Sequence, residues 1–403
     1  MLNVMERKGS SAWPAIEYEE REWTAARNDA LLDVWQRHRL SRPYHAALLP
    51  PVANSRADIS RDLLALVDEA TSEVARFDTR IAELPVTMPA VLLRTESASS
   101  SQIEHLTANA RNLAMASLGV GAKQNAELVA ANVRAMSEAL RLGDEVTVPQ
   151  ILAVHRTLLT GSEPDVAGRL RDEQVWIGSS PISPHDADFV PPHHERVEAA
   201  LDDLVRFAAR RRDLVPLVHA ALVHAQFETI HPFTDGNGRT GRVVLQTVLR
   251  SRGLTRHATV PVSAGLLRDP DRYFRALTAY RTGDLDPIVR QVADAALAAT
   301  ANGRELSQDV LDIREAWRSQ LAVRSDSAAW RLVDELFAQP VVNAGYVASV
   351  LDVSDRSARN AIDALEKVGI LTPARSVRRH QVWQASSVLT AMDAFAQRAG
   401  RRG

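Results

Sequence analysis

Apolar residues recur at intervals of three and four along most of the chain. The spacing predicts amphipathic helices over Asp58–Leu84, Ser101–Leu118, Ala126–Leu142, Arg196–Arg212 and Asp309–Val323. Turn signals separate them at Leu49-Pro50-Pro51, Gly143-Asp144, Gly161-Ser162-Glu163-Pro164 and Gly283-Asp284. A further stripe (Leu217, Val218, Ala221, Leu222, Ala225) ends at Pro232, and another (Val243, Val244, Leu245, Val248, Leu249) begins just after Gly241. Strand-like alternation is scarce. The stretch Trp176–Pro192 resists a helix, with four prolines and two short β-prone pieces, Gln174–Ile177 and Phe189–Val190. From Ala328 a helical pattern breaks at Pro340, and two short helical runs follow. An arginine-rich, hairpin-like piece comes after Gly369-Ile370-Leu371. That order predicts a winged helix-turn-helix at the C-terminus, and the whole chain reads as mainly α.

Composition narrows the class. At 403 residues, 45% hydrophobic and 24% charged, the chain suits two or three globular domains. It has no cysteine, which excludes disulfides, thiolate-bound zinc and a thiol nucleophile. No apolar run approaches the ~18 residues of a membrane span. The first residues, MLNVMERKGSSAWPAIEYEE, carry charges where a signal peptide needs an apolar stretch, so a cytoplasmic location is expected. With a net charge of -2, no global basic field draws the chain to nucleic acid or membrane. Three of its 48 basic residues are lysine, a bias read as codon usage rather than phosphate binding.

The densest chemistry lies in His231-Pro-Phe-Thr-Asp-Gly-Asn-Gly-Arg-Thr-Gly-Arg242, between two helical stripes. Glycines at the N-terminus of a helix expose N–H groups that, with the helix dipole, bind anions such as phosphate. Gly236–Gly241 fits GxGxxG, but no strand precedes it and the next acidic residue after Gly241 is Asp269, so a dinucleotide fold is rejected. A calcium loop fails as well, because the sixth position from Asp235 is Thr240 and the twelfth is Gln246. The remaining residues have compatible tasks. His231 is suited to act as a general base near neutral pH, and Asp235 as a lone carboxylate sharing magnesium with phosphates. Arg239 and Arg242, three apart on one helical face, are placed to clamp distal phosphates. Taken singly, each also fits a capping loop with a solvated charged face.

This pattern resembles the Fic family signature HPFx(D/E)GNGRxxR, and every specified position is met. The resemblance implies a Fic helical core with a small β-hairpin flap. It also implies magnesium-dependent transfer of AMP from ATP to a hydroxyl side chain of a target protein, with the chain itself a further candidate target. On that reading His231 deprotonates the hydroxyl and Asp235 holds Mg2+. Gly236, Asn237 and Gly238 cradle the phosphates, and Arg239, Thr240, Gly241 and Arg242 complete the nucleotide site. The related Doc kinases carry lysine where this chain has Gly238, which disfavours phosphoryl transfer. Removal of AMP, another nucleotide, or a nucleotide-sensing DNA-binding regulator are the alternatives. A pure sensor has no need of the base.

Flanking segments extend the resemblance. Val175, Trp176, Ile177 and Gly178, with Phe189–Pro192, look like the flap that holds an extended target segment by main-chain pairing. His193-His194-Glu195 is read as a solvated loop, since adjacent histidines diverge on a helix or strand. Tyr273 is assigned to the core rather than to a nucleobase. Ser100 and Glu104 occupy the fixed positions of the inhibitory motif (S/T)xxxE(G/N), on a helix expected around 97–118. The resemblance implies that Glu104 pairs with Arg242 and denies it to the γ-phosphate. His105 stands where glycine or asparagine is usual. The expected domains are residues 1–143, helical and carrying the inhibitory helix; 144–300, the Fic domain; 301–324, a linker helix; and 325–403, the winged helix. From Val341 onward nine basic residues face five acidic ones. Arg356, Arg359 and Asn360 open the third helix of that unit behind an N-capping Ser354, and Arg378 and Arg379 lie in the wing. These are candidate contacts to duplex DNA, which would favour a homodimer on paired half-sites.

Overall fold

The computed structural model describes residues 13–23, 42–121, 123–178, 183–211, 213–324, 327–374 and 381–400. The fold is mainly α. The helix Pro216–Ile230 (here α7) is buried on every face, because its sequence LVHAALVHAQFETI offers no wholly polar side. Around it pack α1 (Arg61–Ala82), α6 (Val197–Ala208), α8 (Asn237–Ser251), α10 (Pro270–Arg281) and α11 (Asp286–Gln320). The remaining helices of this part are α2 (Met88–Ile103), α3 (Ala110–Ser117), α4 (Gln124–Leu142), α5 (Val148–Leu159) and the short α9 (Val262–Leu266).

Three features depart from the pattern reading. The first region is not wholly helical: β1 (Glu17–Arg21) pairs antiparallel with β2 (Tyr44–Leu48). Ser101–Leu118 is two helices, not one. α2 stops at Ile103 because His105 adopts φ 62°. There the Leu106 N–H reaches the Ser101 carbonyl (3.0 Å) and the His105 N–H the Gln102 carbonyl (2.9 Å). That is the Schellman closure, which normally selects glycine or asparagine for its left-handed residue. Finally, α11 runs unbroken through 300/301, where a domain boundary was expected. Its Gly303 is a packing residue, since a Cβ there would lie 2.7 Å from the Phe77 ring of α1.

The C-terminal unit comprises α12 (Ala328–Ala338), β3 (Val341–Val342), α13 (Ala344–Leu351), α14 (Asp355–Lys367), β4 (Thr372–Pro373), β5 (Trp383–Gln384) and α15 (Ser386–Arg398). Its sheet has the order β3-β5-β4. Arg378 and Arg379 lie outside the described residues. The unit packs directly on α2 and α3. Arg94 of α2 donates to Gln339 Oε1, Gln339 Nε2 donates to the Ala114 carbonyl (2.8 Å), and the Ala110 N–H donates to Asp393 (3.0 Å). From the other side, Glu96 of α2 accepts the Ser263 N–H (2.9 Å) and hydroxyl (2.6 Å) at α9. No helix among the described residues is long and apolar enough to cross a membrane.

Candidate active site

The loop between α7 and α8 is built by local contacts. His231 ends α7 in the left-handed region (φ 50°), its N–H closing the last turn on the Phe227 carbonyl (2.9 Å), while Pro232 blocks a further turn. Asn237 clasps Phe233 from both sides, accepting its N–H (2.9 Å) and donating to its carbonyl (2.8 Å). Phe233 in turn stacks on His155, with ring centroids 3.6 Å apart. His155 Nδ1 accepts the Gly168 N–H (2.9 Å), so its Nε2–H donates to the Asp235 carbonyl (3.1 Å). Arg171 ties the loop to the flap, donating to the carbonyls of His231 (2.8 Å), Glu173 (3.0 Å) and Pro192 (2.5 Å). Neither His155 nor Arg171 stands out in the sequence, because the loop residues they hold, Asp235 and His231, lie 80 and 60 residues away.

His231 Nδ1 lies 3.4 Å from the Glu228 carbonyl, which assigns its proton there and leaves Nε2 as the acceptor. Burial, with help from Arg171, lowers its pKa to about 3, so the ring is neutral at physiological pH. Beside it a cavity of about 820 Å³ is lined by Glu104, Ile177, Phe189, Asp235, Arg242 and Phe274, among others. Gly236 (φ 73°) turns the chain into α8, whose first N–H groups face this loop. Thr240 and Gly241 are buried in the first turns of α8.

Arg239 and Arg242, 3% and 2% exposed, share one carboxylate. Arg239 Nε donates to Glu104 Oε2 (2.6 Å) and Arg242 Nη2 to Glu104 Oε1 (2.7 Å). Arg242 also donates to the Ser100 hydroxyl (2.8 Å) and carbonyl (2.9 Å). Arg239 Nη2 reaches Asp235 Oδ2 (2.8 Å). Glu104 therefore grips both arginines, where the sequence reading gave it Arg242 alone. Gly238 faces the same carboxylate, for a Cβ there would lie 2.3 Å from Glu104 Oε1. With Glu104 in place, position 238 admits no side chain.

Behind this pair lies a buried polar layer that sequence reasoning missed. Burial raises the Glu228 carboxyl to about 7, and its Oε1 has no hydrogen-bond partner among the described residues. His224 Nε2 is 2.8 Å from the Tyr273 hydroxyl. Tyr273 is 1% exposed yet reaches the cavity wall, so it belongs to the core and borders the site. Arg281 lies over the Phe189 ring at 3.6 Å.

Among the described residues the flap is held by one antiparallel bridge, Ile177 to Phe189, with N–H···O distances of 2.8 and 3.1 Å. Pro191 and Pro192 offer no N–H to extend it. Val175 and Trp176 are part-buried, and Gly178 is exposed. The Trp176 ring meets Trp23 edge-on (5.5 Å), and the Ala47 N–H of β2 donates to the Val190 carbonyl (3.0 Å), so the β1–β2 hairpin backs the flap. His193 and His194 do not diverge: His193 is extended and His194 begins a helical turn, which brings the ring centroids to 4.0 Å. Arg356, Arg359 and Asn360 are exposed on the first turns of α14, where Ser354 Oγ caps the Ser357 N–H (3.3 Å).

Residues 145–249 match the Fic/DOC family. The protein adenylyltransferase fic-1 of Caenorhabditis elegans is 35% identical over 153 residues, covering 37% of this chain and 27% of that protein. The protein adenylyltransferase Fic of Nematostella vectensis is 31% identical over 193 residues, or 44% of this chain and 41% of that protein. The chain thus spans well under half the length of these curated relatives. In fold it is similar to a Fic family protein from Desulfovibrio desulfuricans G20, with a TM-score of 0.52 at 22% identity, covering 84% of this chain and 98% of that one.

Proposed function

With residues 145–249 forming a Fic/DOC domain, we propose that this protein transfers AMP from ATP to a hydroxyl side chain of a target protein. One observation carries the proposal: the neutral His231 and the two motif arginines open onto the same 820 Å³ cavity at the start of α8. The hydroxyl oxygen attacks the α-phosphorus in line with the departing pyrophosphate, and its proton passes to His231 Nε2. The bond from the α-phosphorus to the bridging oxygen breaks, and pyrophosphate leaves with the bonding pair. Arg239, Arg242 and the N–H groups of α8 offset charge on the phosphate oxygens, the kind of fixed electrostatic stabilisation that dominates such reactions.

The donor set fits Mg2+. Asp235 offers one part-exposed carboxylate beside the phosphate cradle, and Mg2+ is typically held by one or two carboxylates plus phosphates and water. Bound there, the ion would neutralise triphosphate charge. We read Glu104 as the restraint, because it occupies both arginines that a triphosphate needs. The C-terminal unit is read as a winged helix that contacts duplex DNA through Arg356, Arg359 and Asn360. A homodimer would present two such surfaces. The transfer is tested by intact mass of the purified chain and of a lysate after incubation with Mg2+ and each nucleoside triphosphate. A gain of one adenylyl group from ATP, absent in His231→Ala, is expected. No adenylyl gain on the chain or on any lysate protein would refute it.

A further inference from the structure

His193, His194 and Glu195 follow the prolines that end the flap. Arg171 pins the chain at the Pro192 carbonyl (2.5 Å), and the Arg196 N–H closes a tight turn on the His193 carbonyl (2.9 Å). This turn draws three donors together. One ring nitrogen from each histidine and one carboxylate oxygen of Glu195 lie within 4.8 Å of one another. His193 Nδ1 is 3.2 Å from Glu195 Oε2, yet it forms no hydrogen bond. The Nδ1 atoms of both rings are shielded from solvent and lack hydrogen-bond partners among the described residues. Leaving such an atom unpaired costs ~1–3 kcal/mol. A structural turn has no need of two such atoms, whereas a cation held at the edges of the two rings would give ring nitrogens a partner.

We propose that His193, His194 and Glu195 form a surface site for a borderline divalent metal of the Zn2+ class, separate from the nucleotide site. Two imidazoles and a carboxylate favour zinc, nickel or copper over magnesium or calcium, which prefer oxygen donors throughout. Three protein ligands leave a position open to water. The neighbouring charges permit the ion. Arg21 touches Glu195 at 3.4 Å but is held by Glu19 at 3.0 and 3.1 Å, and Glu19 also takes Arg196 at 2.6 Å. Glu195 is exposed and can turn toward the rings without stranding Arg21. The metal would fix the chain between the flap exit and the start of α6, so its occupancy would bear on how firmly the flap is held.

The test uses the 403-residue chain in excess Mg2+, which keeps Asp235 out of the titration. Calorimetry with Zn2+ and absorbance with Co2+ are expected to report one tight equivalent. His193→Ala with His194→Ala should abolish it. Glu195→Gln should weaken it by more than the roughly 10- to 100-fold typical of losing an outer-shell partner. Anomalous diffraction at the zinc edge from the wild-type protein gives an answer that does not depend on the variants folding. A peak at the edges of the two imidazoles supports the site. No tight equivalent in the wild type, equal binding by the double variant, or a peak elsewhere overturns it.

Discussion

Replacing Glu104 by alanine removes one carboxylate and leaves two guanidiniums, each at most 3% exposed, without the acceptor that joins them. Two charge-assisted hydrogen bonds are lost, at 2.6 and 2.7 Å, each worth ~1.5–3 kcal/mol. The full sum overstates the loss. The Glu104 side chain is 27% exposed and the cavity is open, so water enters and partly repairs the site. Asp235 and Ser100 also keep their own bonds to the pair. A net cost of about 2 kcal/mol follows, below the ~3–5 kcal/mol of breaking a fully buried pair. On the proposed reading of Glu104 as the restraint, an incoming triphosphate must supply the same energy to expel it in the wild type. In Glu104→Ala that cost is already met. ATP should therefore bind about 30-fold tighter, the factor that corresponds to about 2 kcal/mol. Titration calorimetry with Mg2+ and a non-transferable ATP analogue reads this directly. The melting temperature should fall without nucleotide and recover with it, and automodification by labelled ATP should rise. Adding Arg242→Ala should erase the gain. Affinity within about twofold of wild type, with unchanged automodification, would refute the restraint.

His231→Ala should lower transfer ~100- to 10,000-fold while sparing nucleotide affinity, measured by initial rates and calorimetry. With its pKa lowered to about 3, His231 should add no acid limb to the wild-type rate profile between pH 5 and 8. His105→Gly should stabilise the end of α2 by about 1 kcal/mol in urea denaturation, because a left-handed conformation costs a side-chain-bearing residue ~1–2 kcal/mol. It should also reduce basal automodification. Stability should drop as the pH falls from 7 to 5. His155, His219, His224 and His231 have lowered pKa values, so the unfolded chain takes up protons there below about 6.5 that the folded one refuses. Glu96 and Glu228, raised to about 7, act in the opposite sense as the pH rises from 4.5, but there are fewer of them. A urea midpoint that is level or higher at pH 5 contradicts this. The 403-residue chain should select genomic DNA fragments in a salt-dependent manner, and Arg359→Ala should relax discrimination at one base pair. No enriched fragment would leave the C-terminal unit as a protein-docking platform.

What the sequence discloses depends on the range of the contacts. The loop from His231 to Arg242 is legible because its geometry is local: proline stops one helix, glycines open the next, and Asn237 closes on Phe233 four residues away. The pairing of Glu104 with Arg242 spans 138 residues and came only from a family resemblance. The supports of His155, Arg171 and Glu228 carry no local signature at all. Misread boundaries have similar causes. Apolar periodicity continues past Glu104, and histidine is an unusual residue for a helix-ending left-handed turn, so the break there was hidden. The boundary expected at 300/301 falls inside α11, where Gly303 serves a close approach to Phe77. The β1–β2 pair was missed because EYEER, on an exposed edge, lacks the apolar alternation of a half-buried strand.

The burial of α2 has a consequence for how the molecule comes apart. Residues Val91 to Leu93 and Thr95 to Ser101 are all buried, walled by α9 through Glu96 and by the C-terminal unit through Arg94. A helix that serves as a wall for two cores couples their melting. Loss of the C-terminal unit would take Gln339 from the Arg94 guanidinium, and loss of the α9 side would take Ser263 from the buried Glu96. The two units therefore form one cooperative block rather than beads on a string. Calorimetry of the full chain should give one transition, with a calorimetric enthalpy close to the van't Hoff value.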